Sequence, residues 1–231
     1  MTPVLALAGI SRDYHGLRPL RIAELRVDAG DRVAILGLDA AAAEVFVNLA
    51  TGATLPDAGE VALFGRATSA IRDSAEWLAT IDRVGIVSDR AVLLEELTVI
   101  QNLAMPFTLA IEPPSPEVGD RAAAIAREVG LPELAWTAPV SQLDAAGKVR
   151  VRLGRAIALD PAVLLLEHAS ASVAPGSVRQ LGEDVAALAA ARRAAVVALS
   201  ADEAFARAVA TRVLTLQPAT GALKERRRGW F

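Results

Sequence analysis

Short runs of apolar, often β-branched residues alternate along the chain with longer stretches typical of helices. We predict strands at Val4–Ile10, Leu20–Val27 and Asp31–Leu36 in the first part of the sequence. The alanine-rich stretch Ala40–Leu49 is predicted to be a helix, and Asp39 stands where its N-cap is expected. A strand that runs into a helix in this way is the basic unit of a layered α/β domain.

The same alternation continues through the rest of the sequence. Further strands are predicted at Glu60–Phe64, Val84–Val87, Val163–Leu166, Ala195–Leu199 and Arg212–Leu216. Further helices are predicted at Leu97–Leu109, Arg121–Val129 and Ser177–Arg192. We therefore expect an α/β fold, in which the stretch 90–142 is more purely helical.

Composition and charge exclude several classes of function. The chain has 231 residues, of which 53% are hydrophobic, so it can bury a large core in one compact unit. Its 24 Lys and Arg residues are outnumbered by 27 Asp and Glu residues, and the net charge is −3. No basic excess indicates a nucleic-acid partner, and the one basic cluster is Lys224–Arg228. The absence of cysteine excludes disulfides and thiolate metal sites.

The sequence also bears on location. No stretch approaches the ~20 uninterrupted apolar residues that a membrane-spanning helix needs. Met1–Ile10 has neither the basic start nor the long apolar run of a signal peptide. We expect a cytoplasmic protein, free or bound at the cytoplasmic face of a membrane partner.

Four segments give the chain a family resemblance. A strand that ends at Gly37 before a helix is where a phosphate-binding loop would lie. The segments TGATLPDAGEVALFG (Thr51–Gly65), LLEELTVIQNLAMP (Leu93–Pro106), RVRLGRAIALDPAVLLLEHASASVAP (Arg150–Pro175) and RVLTL (Arg212–Leu216) follow in order. In content, order and spacing they resemble an ATP-binding subunit of an ABC transporter, and the resemblance extends from the N-terminus to the last of them.

The resemblance implies an architecture and partners. It implies a P-loop NTPase-like ABC core, a mixed sheet with flanking helices, into which an α-helical subdomain is inserted. The core would comprise residues 1–89 and 143–216, the helical subdomain residues 90–142, and a C-terminal tail residues 217–231. ATP with Mg²⁺ is the family's ligand. The family's partners are membrane permease subunits and a second nucleotide-binding subunit, identical or different.

The phosphate loop departs from the family pattern G-x-x-x-x-G-K-S/T. Here the segment reads Gly37-Leu38-Asp39-Ala40-Ala41-Ala42-Ala43-Glu44. Of the residues that the pattern specifies, it retains only the first glycine. The lysine that reaches the phosphates falls on Ala43, and the hydroxyl that holds Mg²⁺ falls on Glu44. A carboxylate about 4 Å from a phosphate charge costs about 4 kcal/mol at an effective dielectric of 20, and about 1 kcal/mol in water.

Two interpretations of these acidic residues are open. Glu44 is expected in the first turn of the helix, where exposed N–H groups favour an anion, so Asp39 and Glu44 would replace the phosphates. Alternatively, this is an alanine-rich helix start with ordinary surface acids.

The remaining family motifs depart in the same way. The Q-loop glutamine falls on Asp89, the D-loop aspartate on Ala174 and the H-loop histidine on Ala201. The Walker B aspartate and general base fall on Glu167 and His168; a glutamate can still hold a metal, and a histidine can still accept a proton.

The signature motif L-S-G-G-Q becomes Leu143-Asp144-Ala145-Ala146-Gly147. In the family this motif contacts the γ-phosphate of the nucleotide bound to the opposite subunit, and Asp144 would repel that phosphate. Tyr14 stands where the family stacks adenine on an aromatic ring; alternatively, it is a half-buried tyrosine at a strand end. Stacking alone supplies a few kcal/mol at most.

We therefore expect a catalytically inactive subunit, a pseudo-ATPase with a structural or regulatory role and no cofactor of its own. The permease would dock on a surface formed by Leu93, Leu94, Leu97, Met105 and Phe107. The alternative is that these side chains form the core of the helical subdomain. A second hypothesis is an ABC subunit that still binds ATP and hydrolyses little of it.

A third hypothesis places a divalent metal ion in the vestigial nucleotide pocket. Glu44, Asp89, Glu167 and His168 would converge there and suit Mn²⁺, Zn²⁺ or Mg²⁺. Alternatively, these residues are solvated acids in an empty cleft, or they pair with nearby arginines.

Overall fold

The computed structural model describes residues 2–225. Its strands are β1 Leu5–Arg12, β2 Leu20–Val27, β3 Arg32–Leu36, β4 Ala58–Leu63, β5 Arg66–Ala67, β6 Val84–Val87, β7 Val163–Glu167, β8 Ala195–Ser200, β9 Arg212–Gln217 and β10 Ala222–Glu225. Its α-helices are α1 Ala40–Ala50, α2 Ser74–Ile81, α3 Val99–Ala104, α4 Pro116–Glu128, α5 Ala145–Ile157, α6 Pro175–Arg192 and α7 Glu203–Val209. The strands form two sheets.

The first sheet is antiparallel, in the order β2-β1-β4-β5. Its central strand β1 places Leu5 opposite Val27 on one side and Leu63 on the other, and all three residues are buried. Buried apolar residues alternate with exposed residues along β2 except at Ala23 and Glu24, which are both exposed, and such a pattern is expected of a sheet with one solvated face.

The second sheet has the order β10-β9-β3-β8-β7-β6. β9, β3, β8, β7 and β6 run parallel to their neighbours, while β10 is antiparallel to β9. β7 and β8 are buried at every position because both faces of the sheet are covered, and their sequences are apolar up to the last residues, Glu167 and Ser200. The carboxyl ends of parallel strands meet at one edge, so Leu36, Val87 and Glu167 lead into neighbouring loops.

Two helices differ from the sequence prediction by more than two residues at one end. α3 ends at Ala104 instead of continuing to Leu109, because Pro106 has no N–H to donate to the next helical hydrogen bond. α4 begins at Pro116 instead of Arg121, because Ser115 accepts a hydrogen bond from the first turn and proline fits the first helical position.

Several elements were not predicted, among them α2, α7 and β10. α2 and α7 begin after Asp73 and Asp202, whose side chains cap them. β10, Ala222–Glu225, lies within the range expected to be a C-terminal tail and pairs with β9. The rest of the basic cluster, residues 226–228, lies outside the described residues.

The buried apolar residues form two clusters. One fills the space between the two sheets and α1 and contains Leu7, Ile35 and Phe46. The other lies beneath α3, α4, α5, α6 and α7 and contains Leu103 and Leu166. None of the helices within residues 2–225 is long and apolar enough to cross a membrane.

Candidate functional site

The junction of β3 and α1 carries a carboxylate where the phosphate loop is expected. The backbone turns at Gly37, with φ +94°, and α1 begins at Ala40. Asp39 caps the helix, because its Oδ1 accepts a hydrogen bond of 2.8 Å from the Ala42 N–H. The negative charge that a helix N-terminus favours is therefore supplied by the chain itself.

The position predicted for the lysine is closed to solvent. Ala43 is 0% exposed and belongs to the cluster between the sheets, together with Phe46 and Val47. Because α1 begins at Ala40, Glu44 is its fifth residue, and α1 has no acidic residue in its first turn. The expectation that Glu44 lies in that turn is wrong, whereas the prediction of Asp39 as N-cap is confirmed.

Arg90 joins the two acids expected to surround Mg²⁺. Its Nη2 and Nε donate hydrogen bonds of 2.7 and 3.2 Å to Glu167 Oε2, and its Nη1 lies 3.1 Å from Glu44 Oε1. Glu167 is 8% exposed. The hydrogen bond with Glu167 raises the pKa of Arg90, burial opposes this shift, and the charges of Glu167 and Glu44 reinforce it. Sequence reasoning did not single out Arg90.

Asp89 turns away from this pair. Its Oδ1 lies 2.8 Å from Nη1 of Arg152, a residue of α5. Arg152 Nε also donates to the Ala91 carbonyl at 3.2 Å, and Arg155 Nη1 donates to the Val92 carbonyl at 2.7 Å. Burial and the neighbouring charge of Arg152 lower the pKa of Arg155. The loop after β6 is thus bound to α5 by two arginines.

The four-residue metal set does not assemble. Within residues 2–225, no group of three or more His, Cys, Asp and Glu side chains is arranged to hold a metal ion. The alternative, pairing with nearby arginines, is confirmed for Glu44, Asp89 and Glu167. His168 adopts a left-handed backbone, φ +46°, and its Nε2 is buried without a hydrogen-bond partner among the described residues.

The signature segment begins α5. Asp144 is its N-cap, and its Oδ1 accepts a hydrogen bond of 2.7 Å from the Gly147 N–H. Ala145 and Ala146 are half-buried, and Gly147 is buried. A carboxylate therefore occupies the start of this helix as well, where the family places a serine hydroxyl.

The ends of β7 and β8 enclose a cavity of about 480 Å³ lined by His168, Ser170 and Ser200. Ala201 is exposed at its rim and offers no polar side chain. Ala174 precedes α6 and makes no side-chain cap hydrogen bond.

Tyr14 borders a separate cavity of about 450 Å³, which Asp39 and Leu216 also line. The ring is half-buried against the cluster between the sheets. Burial raises the pKa of the Tyr14 hydroxyl, and the negative charge of Asp39 adds to that shift. A planar group can reach this ring, but a phosphate beside it would meet the Asp39 carboxylate.

Four of the five expected docking residues lie in or against the helical cluster. Leu93 is buried, and Leu97 packs against the helical cluster, so these two belong to the core. Phe107 also packs there, and the guanidinium of Arg121 stacks 3.8 Å above its ring. Leu94 is 39% exposed.

Met105 also packs against the helical cluster. It lines a groove of about 360 Å³ with Ile86 of β6 and with Arg152 and Arg155 of α5. The groove lies beneath the loop after β6, because Ala91 also lines it.

Comparison with known proteins settles the family. The model of the ABC transporter family matches residues 20–171, which is more than half of the chain. This chain belongs to the ABC transporter family. It is 34% identical over 164 residues to the methionine import ATP-binding protein MetN of Caulobacter vibrioides, covering 71% of this chain and 48% of MetN. It thus spans about half the length of this relative.

A second relative matches over more of its length. The lipoprotein-releasing system ATP-binding protein LolD of Hyphomonas neptunium is 28% identical over 185 residues, covering 78% of this chain and 80% of LolD.

Solved structures show the same fold. cbiO1 from Clostridium perfringens, part of the ABC transporter complex cbiONQ, superposes with a TM-score of 0.80 at 17% identity, over 97% of this chain and 88% of that one. A dimeric ATP-binding cassette, MJ0796, bound to ADP and Pi, gives a TM-score of 0.76 at 21% identity, over 98% of this chain and 100% of that one. The predicted α/β ABC ATPase fold is confirmed.

Proposed function

We propose that this ABC transporter subunit is a pseudo-ATPase, which acts as a structural or regulatory partner without hydrolysing ATP. The observation that carries the proposal is the start of α1. There Ala43, fully buried, replaces the phosphate-binding lysine, and the Asp39 carboxylate takes the helix N-terminus. Removing a cation and adding an anion both oppose the binding of a triphosphate.

The place of Mg²⁺ supports the same proposal. The guanidinium of Arg90 lies between Glu44 and Glu167 and satisfies both carboxylates. A divalent ion would have to displace a positive charge already paired at 2.7 Å. Without the ion, the charge that develops on a transferred phosphoryl group has no metal to neutralise it.

The start of α5, which in the family faces a second subunit, supports the pseudo-ATPase proposal as well. In the family, the start of the α5 segment faces the γ-phosphate held by the other subunit. Here Asp144 places a carboxylate at that helix start. This chain would therefore contribute little to a composite site in a heterodimer, and two copies would form no active site.

For partners, we propose membrane permease subunits and a second nucleotide-binding subunit, at the cytoplasmic face of the membrane. The names of its relatives, a methionine import protein and a lipoprotein-releasing system protein, place both in transport systems. The groove lined by Met105 and Arg155 is the docking surface that the geometry favours. Of the five residues expected at the docking surface, Met105 is the one that lines this groove.

A second candidate is a subunit that retains nucleotide binding with little hydrolysis. The cavity beside Tyr14 favours it, because about 450 Å³ with an aromatic wall accommodates a base. The relatives are themselves named ATP-binding proteins. Stacking on one ring supplies about 1–3 kcal/mol, too little to replace the lost phosphate contacts.

Steady-state ATP hydrolysis tests the proposal. The purified chain should release phosphate no faster than a blank with Mg²⁺ and ATP at millimolar concentration, while an intact ABC cassette turns over in the same assay. A variant that returns Glu167 to aspartate and His168 to glutamate should also stay inactive, because Asp39 and Ala43 remain. Turnover by the unmodified chain, lost on substitution of His168, would refute the proposal.

A further inference from the structure

The loop after β6 is exposed but extensively bonded. Asp89, Arg90 and Val92 are exposed, whereas Ser88 at the loop start is buried. Ser88 accepts two backbone hydrogen bonds, from the Arg90 N–H at its hydroxyl and from the Ala91 N–H at its carbonyl, both 3.1 Å. These bonds form a tight turn, which on its own would hold the loop only locally.

Three guanidinium groups fix that turn to the rest of the molecule. Arg90 reaches out of the loop to Glu44 of α1 and Glu167 of β7. Arg152 binds the Asp89 carboxylate and the Ala91 carbonyl, and Arg155 binds the Val92 carbonyl. Each of the residues 89–92 is therefore held by an arginine or is one.

The contacts attach the loop to two parts of the molecule. Arg90 ties the loop to the sheet core, and the other two arginines tie it to α5, which packs on α3 and α4. The groove of about 360 Å³ lies between these attachments and is lined by Ala91, Met105, Arg152 and Arg155. The position of the loop thus sets the shape of the groove.

We infer that Arg90, Arg152 and Arg155 form a clamp, which holds residues 89–92 in one conformation without any ligand and thereby sets the shape of the groove beneath them. Arg90 is its positioning residue, because within residues 2–225 it provides the side-chain hydrogen bonds that link the loop to the end of β7. The clamp itself stands on contacts within this chain.

Hydrogen exchange and one NMR signal test the clamp. The double variant Arg90→Gln with Glu167→Gln removes the link and leaves no buried charge unpaired. The amides of Arg90 and Ala91 should then exchange at least about tenfold faster, while amides of β3 and β8 stay protected. The chain has two methionines, Met1 and Met105, so the methyl signal of Met105 reports on the groove. That signal should shift in the double variant.

A matched control removes an arginine that holds no loop. Arg179 pairs with Glu183 on the exposed face of α6, 2.8 Å apart, and Arg179→Gln should leave the loop amides and the Met105 signal unchanged. A milder variant, Glu44→Gln, cuts one arm of the clamp at an exposed residue and should give a smaller increase in exchange at Ala91.

The inference fails if loop exchange in the double variant matches that of Arg179→Gln. The proposed function fails on a different measurement, the binding of Mg²⁺-ATP to the unmodified chain. If Mg²⁺-ATP binds the unmodified chain and moves the Met105 signal, the groove responds to nucleotide and the inference is wrong.

Discussion

The guanidinium of Arg90 donates two hydrogen bonds, of 2.7 and 3.2 Å, to one carboxylate oxygen of Glu167, 77 residues away in the chain. Glu167 ends β7 and is 8% exposed, so its charge is largely removed from water. In this family the end of that strand serves a bound metal ion. In this chain the guanidinium of Arg90 neutralises the Glu167 carboxylate instead.

Loss of Arg90 alone should destabilise the protein. In Arg90→Ala the Glu167 carboxylate stays buried without its cation, which costs about 1–2 kcal/mol. The value lies at the low end for a buried charge because the Arg90 side chain is itself 43% exposed. Urea unfolding followed by tryptophan fluorescence measures it.

The double variant Arg90→Ala with Glu167→Gln should recover most of this loss, because no buried charge then remains unpaired. Equal stability of the single and double variants would show that the pair does not neutralise Glu167.

Ala43 should not tolerate the lysine that the family places there. Its side chain is 0% exposed, so Ala43→Lys should cost at least about 2 kcal/mol through overpacking and burial of an ammonium group. Ala40→Lys, on the exposed first turn of the same helix, should change stability by about 0.5 kcal/mol or less. Thermal unfolding of both variants tests this, and equal melting temperatures would contradict the closed pocket.

Gly85 should be required for the approach of β6 to α5. A Cβ there would lie 2.6 Å from the Ala156 carbonyl oxygen and 2.5 Å from Leu164 Cδ2, so Gly85→Ala should cost about 1–3 kcal/mol. A Cβ added at Gly119, in α4, would meet no neighbouring group within 4 Å, and Gly119→Ala should stabilise the helix by about 0.5–1 kcal/mol. Chemical denaturation should give opposite signs; the same sign for both would be inconsistent with this packing.

The hydroxyl of Tyr14 should ionise above its ordinary pKa of 10.0, because of burial first and the Asp39 charge second. Tyr14 is the one tyrosine of the chain, so ultraviolet absorbance follows it without interference from another. The neutral form is favoured in the folded state, so this contribution to stability is present below pH 10 and is lost as pH rises through the folded pKa. Asp39→Asn should lower the pKa of Tyr14. An unchanged pKa would show that the charge of Asp39 does not act on the Tyr14 hydroxyl.

The sequence pattern predicted the fold well because local signals and packing agree in most of it. β2 and β6 have the bounds that the apolar runs predicted, and Asp39 caps α1 as expected. The end of α3 was misjudged, since apolar residues continue past Ala104 although Pro106 stops the helix. A side-chain cap shows where a helix begins better than an apolar run shows where it ends.

The candidate site was harder to predict, because long-range pairing decides it. The sequence identified Glu44, Asp89 and Glu167 as neighbours of the nucleotide site, but the arginines that pair with them are distant in the chain. Arg90 resembles any surface arginine until the fold brings it to the end of β7. One signal was available: Arg90 follows Asp89 directly, in the loop that the resemblance places beside the metal.

Titration of the purified chain with Mg²⁺-ATP tests the central claim most directly, with binding heat and melting temperature as readouts and an intact ABC cassette as positive control. A ligand at a hundred times its dissociation constant stabilises a protein by about 2.7 kcal/mol, which such a measurement detects easily. We predict no binding heat and no change in melting temperature up to millimolar ATP. Saturable binding with a dissociation constant below about a millimolar would contradict the account, because Asp39, Ala43 and Arg90 would then not close the nucleotide site.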